Sequence, residues 1–164
     1  PPPSAGGDFR RKALDKAITQ IGVREDAGSD EDRRGRIREF RNAVTAPGYR
    51  QNRPPEPWCA DFVSWSYKNA GKPIGPGGTG FAYVPYMKDW LQKTGQWHPK
   101  GSGYTPKPGD IVIFNWDGGR PDHVGLVESV NRDGTVNCVE GNASNSVRRI
   151  RRSLSTIEGF GHVR

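Results

Sequence analysis

The chain has 164 residues, with 32% hydrophobic residues, 22 Gly and 14 Pro, which fits one loop-rich domain with a substantial core. Two cysteines without C-x-x-C spacing exclude a disulfide framework and a readable zinc site, and no apolar run reaches the roughly 20 residues of a membrane span. The net charge of +7 predicts attraction to something anionic, such as a nucleic acid, a cell-wall polymer or a membrane surface.

Residues 1–7 are rich in Pro and Gly and predict a linker, or a segment added ahead of the natural chain. Residues 8–164 are predicted to form one domain. Because the chain does not begin with Met and carries no recognisable signal peptide, we expect a mature form or a domain cut from a longer protein.

Four helices are predicted from apolar residues at a spacing of 3.6. They begin at the cap Asp8, after the acidic segment 29–32, at Cys59 and near Val84, and they end at Gly22, Pro47, Gly71 and Gly95. Gly35 weakens the second helix, because glycine is a poor helix former. The third helix follows Pro57, which is tolerated at a helix start.

From Lys107 onward the apolar spacing changes toward 2, which is typical of strands. Five short runs rich in β-forming residues cover residues 110–116, 123–130, 135–140, 146–153 and 157–163. Turn residues separate them, so we predict an antiparallel meander. Helices followed by strands predict an α+β fold, with N-terminal helices packed on a C-terminal antiparallel sheet of about five to six strands.

Cys59 stands where the third helix is predicted to begin. Unpaired N–H groups and the positive end of the helix dipole would point at its sulfur and favour the reactive thiolate. The alternative is a buried and inert cysteine, which is the common state of free cysteines. We expect that state for Cys138, and we expect both thiols to be free because a disulfide between them would block Cys59.

A catalytic cysteine needs a base, and the base needs an orienting group. His123 opens a predicted strand and shares a face with Gly125 and Val127, so it can reach Cys59 if that face meets the third helix. Glu140 ends the neighbouring strand of the hairpin and can accept the second imidazole N–H. Asn142 could do the same or bind substrate.

Four segments of the sequence together resemble the CHAP domain, the cysteine, histidine-dependent amidohydrolase/peptidase family. They are residues 57–63 (PWCADFV), 108–114 (PGDIVIF), 123–127 (HVGLV) and 140–142 (EGN). The resemblance covers about residues 8–163, and it implies a single catalytic domain with a papain-like fold of the NlpC/P60 superfamily.

The resemblance also implies a reaction, the hydrolysis of amide bonds in peptidoglycan. The bond would lie in the stem peptide, in the cross-bridge or at the junction to the glycan. By position, Cys59 is the nucleophile, His123 the base and then the acid, Glu140 the orienting carboxylate and Asn142 a fourth assisting residue. No cofactor is implied. We therefore expect a protein that is secreted or delivered to the cell wall, monomeric or part of a larger chain.

Two other classes of function stay open from the sequence. The same thiol chemistry could act on a protein or a small amide conjugate, because fold does not determine substrate. A basic module that binds nucleic acid or another anionic polymer is disfavoured, because every expected catalytic residue is present. Anionic wall polymers are a possible additional partner, and no specific nucleic acid is expected.

No metal site is expected. Some phage-derived CHAP domains bind calcium through an acidic loop before the cysteine, but the corresponding residues 49–53 (YRQNR) are basic here. Asp26, Asp30 and Asp32 form an acidic cluster that helix capping and solvation explain better than a site.

Aromatic and basic residues supply further candidates. Substrate contacts are predicted for four aromatic residues near loops or near Cys59: Trp58, Trp97, Tyr104 and Trp116. The arginines of residues 148–152 divide between the two faces of a predicted strand, so we interpret them as charges that guard a solvated edge strand. Attraction to phosphate-rich wall polymers is the alternative.

Overall fold

The computed structural model describes residues 8–26, 32, 34–47 and 56–164. These residues form four α-helices and a six-stranded antiparallel sheet, which confirms the predicted papain-like α+β fold. The predicted linker at residues 1–7 and most of the loop before Cys59, residues 48–55, lie outside the described residues. Within the described ranges, no helix is long and apolar enough to cross a membrane.

The helices are α1 (Asp8–Ile18), α2 (Arg36–Asn42), α3 (Cys59–Asn69) and α4 (Val84–Lys93). Helix α2 begins later than predicted, because Gly35 has a φ of 73° and cannot belong to a right-handed helix. The carboxylate of Asp32 accepts a hydrogen bond of 2.8 Å from the backbone N–H of Ile37. Asp32 therefore caps the first turn of α2, as its position before a helix suggested.

Helix α3 begins at Cys59 and is followed by Gly71, as predicted. Gly71 has a φ of 82°, and the N–H of Lys72 donates to the carbonyl of Tyr67 at 3.0 Å. This left-handed residue satisfies the last carbonyls of the helix and turns the chain away. Residues 59–67 are all buried, so α3 is the central helix of the domain.

The strands are β1 (Trp97–Pro99), β2 (Ile111–Phe114), β3 (His123–Val130), β4 (Val136–Ala143), β5 (Ser146–Arg152) and β6 (Ile157–Gly161). Their order in the sheet is β1-β6-β2-β3-β4-β5. The predicted meander is therefore correct for β2 to β5, whereas β6 returns to the other side of β2. Strand β1 has only three residues, which is too short for a periodic pattern to reveal.

The helices pack on the sheet face that carries Val124, Leu126 and Val139. A Cβ at Gly141 would lie 2.6 Å from the Cβ of Phe62, so this glycine lets α3 approach the sheet closely. Val127 belongs to a second apolar cluster on the opposite face, together with Cys138. The condition named for contact through the sheet face, that the face of His123 and Val127 meets α3, is not met, because α3 takes the face that Gly141 leaves open.

Candidate active site

Cys59 and His123 lie close together although α3 packs on one face of the sheet and His123 belongs to the opposite face. Cys59 is the first residue of α3 and His123 is the first residue of β3, so both stand at the ends of their elements. The Cys59 thiol is close enough to the His123 ring to raise the pKa of the imidazole, and the His123 side chain is 8% exposed. Because both residues stand at the ends of their elements, they approach each other at the end of the sheet, although the body of the sheet would separate them.

The second side of the His123 ring faces Glu140. Nε2 of His123 lies 2.8 Å from Oε1 of Glu140, whose side chain is fully buried. Because Nε2 is engaged by the carboxylate, Nδ1 is the ring nitrogen left to exchange a proton with Cys59. This is the order of groups that a nucleophile, a base and an orienting acid require.

Arg152 completes the surroundings of Glu140. Its Nε donates to Oε2 of Glu140 at 2.9 Å and its Nη2 donates to Oε1 at 2.6 Å. The Arg152 side chain is only 19% exposed. The interpretation of residues 148–152 as a solvated edge strand is therefore wrong for Arg152, because the guanidinium turns inward over β4. Ile150 lies on the same face of β5 as Arg152 and packs against the second apolar cluster. This apolar residue was the sequence signal that could have indicated that the face of Arg152 is partly covered.

The other arginines of β5 agree better with that interpretation. Exposed Arg149 pairs with half-buried Glu128 at 2.6 Å, and Arg151 pairs with Asp133 at 2.8 Å on the exposed surface. Such exposed pairs contribute little to stability.

Charge alternates along the row of buried groups. Burial alone lowers the pKa of His123, but hydrogen bonds with Cys59 and Glu140 and the negative charges of both raise it to about 9. Burial alone raises the pKa of Glu140, but the hydrogen bonds and positive charges of Arg152 and His123 hold it below its usual value. The site therefore favours an imidazolium beside a carboxylate at neutral pH.

Asn142 follows Glu140 on β4 after Gly141. Its φ of 57° is in the left-handed region, which asparagine tolerates better than most residues. Its side chain is half-buried and forms no hydrogen bond with another residue in the described part of the chain. Its amide is therefore available to a ligand.

A groove of about 430 Å³ opens beside Cys59. Its walls come from the start of α4 and from the loop between β2 and β3, and its lining includes Tyr83, Arg120 and Asp122. Arg120 donates to the hydroxyl of Tyr83 at 3.1 Å, which joins the two walls. No sequence motif marks these residues, because they stand on loops.

Only Trp116, of the four aromatic residues predicted to contact substrate, lies beside the catalytic candidates. Its ring is 5.3 Å from the His123 ring and 47% of the residue is exposed. Trp58 is fully buried, with its indole N–H donating to Glu25 at 2.9 Å. The structure does not bring it to the groove surface.

Trp97 and Tyr104 lie elsewhere in the fold. Trp97 is on β1, which pairs with β6 at the far edge of the sheet. Tyr104 donates its hydroxyl to Asp110 at 2.5 Å and packs against the second apolar cluster. Neither residue lines the groove beside Cys59.

The metal expectation concerns two segments. Residues 49–53 and Asp30 lie outside the described residues, whereas Asp32 caps α2. No group of three or more His, Cys, Asp or Glu side chains within the described ranges could hold a metal ion. Both cysteines are free and buried.

Comparison with known proteins identifies one family. The sequence model of the CHAP domain matches residues 48–142, more than half of the chain. No curated protein matches the sequence significantly.

Two solved proteins are similar in structure. NlpC1 from Trichomonas vaginalis aligns with a TM-score of 0.52 and 14% identity over 97% of this chain and 45% of that chain. Ly7917, solved with the hydrolyzing product of MDP, aligns with a TM-score of 0.50 and 19% identity over 92% of this chain and 61% of that chain. The chain thus spans less than two thirds of the length of either structure. At this identity the likeness shows the fold.

Proposed function

The chain belongs to the CHAP domain family, and from its site we infer that it is a cysteine hydrolase that cleaves amide bonds in bacterial peptidoglycan. The bond would lie in the stem peptide, in the cross-bridge or between N-acetylmuramic acid and L-alanine. The observation that carries the proposal is the row of interacting groups in which Cys59 raises the pKa of His123 and Nε2 of His123 lies 2.8 Å from Oε1 of Glu140.

The first chemical step is attack by the thiolate. Cys59 gives its proton to Nδ1 of His123, and the sulfur then forms a bond to the carbonyl carbon while the carbonyl electron pair moves to oxygen. The first intrahelical bond of α3 runs from the N–H of Phe62 to the carbonyl of Trp58, so the N–H groups of residues 59–61 precede the ladder. The backbone N–H of Cys59 and the helix dipole would stabilise the oxyanion.

The second step releases the amine. The His123 imidazolium donates its proton to the leaving nitrogen as the carbon–nitrogen bond breaks, which leaves a thioester on Cys59. Water then attacks the thioester, with neutral His123 accepting the water proton, and the thiol and the carboxylic acid are restored. Glu140 stays ionised throughout and keeps the ring in the required orientation. Asn142 would assist by binding substrate.

Several observations support the choice of substrate. The family to which the chain belongs consists of amidohydrolases and peptidases, and Ly7917 was solved with a product of MDP, muramyl dipeptide. The net charge of +7 favours approach to anionic wall polymers. We propose that residues 8–164 act as one catalytic domain at the cell wall, where the protein is secreted or delivered, without a metal or cofactor.

The test is digestion of purified sacculi with mass spectrometry of the released muropeptides. We expect new amino and carboxyl ends that identify the bond, and we expect Cys59→Ala to abolish them. Cys138→Ala is the matched control and should retain the activity, because Cys138 is fully buried in the second apolar cluster.

Three results would count against the proposal. Cleavage by Cys59→Ala would contradict the mechanism. Intact sacculi beside cleaved peptide or small-amide substrates would move the function to a protease or amidase with another substrate. Salt-dependent binding of anionic polymers without any cleavage would indicate a binding module.

A further inference from the structure

We propose that Arg152 is a positioning residue of this site, which holds Glu140 ionised and aimed at His123. The inference rests on the proposed role of Glu140 as the orienting carboxylate. Arg152 does not face the groove beside Cys59, so it would act through Glu140 and not by contact with substrate.

The Glu140 carboxylate is held by hydrogen bonds from His123 and Arg152. Oε1 of Glu140 receives hydrogen bonds from both His123 and Arg152, whereas Oε2 receives one from Nε of Arg152. Among the described residues, Arg152 is the only donor to Oε2. The planar guanidinium therefore fixes the carboxylate in one plane with one oxygen turned to the imidazole, which a lysine could not do with a single ammonium.

The burial of Glu140 makes its charge depend on its partners. Glu140 is fully buried, and a buried carboxylate without partners takes up a proton instead of keeping its charge. His123 alone offers one hydrogen bond, and its own charge depends on pH. Arg152 stays charged at every pH of interest. It is thus the permanent positive charge that lets Glu140 remain an acceptor for the imidazole.

Arg152 also contacts the two aromatic rings that lie beside the His123 ring. The guanidinium carbon lies 5.2 Å from the ring centres of both Phe114 and Trp116. Those rings lie 5.7 Å and 5.3 Å from the ring of His123. One side chain therefore contacts both the carboxylate and the two aromatic rings that stack on each other beside the imidazole.

Other ionisable groups surround Glu140 and bear on its charge. They are His123 on β3, Cys138 on β4, Arg148 and Arg152 on β5, and Cys59 beyond the imidazole, while Glu128 on β3 acts on Cys138. Arg148 is exposed, and burial together with the charge of Glu140 raises the pKa of the Cys138 thiol. Cys138 thus stays neutral, and Arg152 is the cation that contacts Glu140 independently of pH.

The experiment measures the alkylation rate of Cys59 with iodoacetamide across pH, because this reaction needs no substrate. The buried neutral thiol of Cys138 should not react on the same time scale. In Arg152→Met, the pKa of Glu140 should rise, so at low pH the ionised carboxylate that stabilises the thiolate–imidazolium pair should be lost. The acid limb, which is the part of the profile where the alkylation rate rises with pH, should therefore move to higher pH by about one unit or more. Exposed Arg149 is on the same strand but pairs with Glu128 and not with Glu140, so Arg149→Met should leave the limb in place.

Two further variants show whether the effect passes through Glu140. Arg152→Lys keeps the charge without the fork, so its acid limb should lie between those of the native protein and Arg152→Met. In a Glu140→Gln background, Arg152→Met should cause no additional shift. If Arg152→Met does not fold, Arg152→Lys decides the question.

The proposal is overturned if folded Arg152→Met or Arg152→Lys keeps the native acid limb, or if the shift persists undiminished in Glu140→Gln. A purely structural role would lower the melting temperature without moving the limb. Failure of the protein to digest sacculi would not affect these measurements, so the two proposals can fail separately.

Discussion

Gly125 makes room for the side chain of Glu140. A Cβ at Gly125 would lie 2.6 Å from Cγ of Glu140 and 3.1 Å from the carbonyl oxygen of Val139. The Glu140 side chain therefore lies across β3 at the position where that strand has no side chain, and its carboxylate reaches His123 from there. The glycine two residues after the histidine is thus part of the geometry of the site.

Gly125→Ala should displace Glu140 and weaken its bond to His123. Because a shift of about 1 Å in a catalytic group can cost roughly 100-fold, we expect kcat/KM to fall by about that factor. The acid limb of Cys59 alkylation should move upward as well. Gly159→Ala is the control, since its Cβ would lie 2.5 Å from the Trp97 ring, far from the site. It should lower the melting temperature and leave the alkylation profile unchanged, and an unchanged profile in Gly125→Ala would refute the prediction.

Activity should fall as pH rises through about 9. The pKa of His123 is raised from 6.5 to about 9, so the imidazolium that stabilises the thiolate and protonates the leaving amine persists at neutral pH and is lost above that value. The acid limb belongs to the coupled pair of Cys59 and His123. Measurements of kcat/KM from about pH 5 to about pH 10 should give a bell. An alkylation rate that is flat from acid to alkaline pH would contradict the ion pair.

The same shift makes a prediction for stability. A histidine whose pKa is raised on folding stabilises the native state in its protonated form, so this contribution is complete below about pH 6.5 and disappears as pH rises through about 9. The melting temperature should fall as pH rises over that interval, and the fall should be smaller in His123→Gln. If the two proteins lose stability in parallel, His123 does not contribute in this way.

Trp116 should affect substrate binding more than chemistry. Its ring is half-exposed beside His123, so Trp116→Leu should raise KM about fivefold with little change in kcat, the loss expected for one aromatic contact of about 1 kcal/mol. Trp116→Phe should restore most of the affinity. Trp97→Phe, at the far edge of the sheet, should leave KM unchanged. Equal effects of the Trp97 and Trp116 variants would show that Trp116 has no special contact.

Asp110 should matter for stability and not for the reaction. It is fully buried and accepts hydrogen bonds from Tyr104, His162 and the backbone of Lys107 at 2.5, 2.7 and 2.8 Å. Asp110→Asn would turn a donor toward one of these donors, so the free energy of unfolding in urea should fall by about 2 kcal/mol. Asp133→Asn, which removes an exposed pair with Arg151, should leave the unfolding midpoint nearly unchanged. Cys59 alkylation should be native-like in both variants.

The sequence by itself determined the local elements and singled out the candidate reacting groups. The start of α3 at Cys59, its end before Gly71 and the alternation of β3 and β4 depend on neighbouring residues and on backbone preferences, which short patterns report directly. The spacing allowed Cys59, His123 and Glu140 to converge only if the face of His123 met α3, and that condition is not how the elements pack. Gly35 was noted as a weak point of α2, and the helix indeed begins after it.

Only the tertiary structure decided how the elements face one another. The packing of α3 on the face of Gly141 and the position of β6 beside β2 depend on contacts between residues far apart in the chain, for which no local pattern exists. Arg152 was interpreted as a surface charge because period 2 divides the arginines of β5 between two faces without saying which face is covered. The register pairs Arg148 with Glu140 and Arg152 with Val136, so it is the course of the Arg152 side chain over the covered face that brings its guanidinium to the buried Glu140.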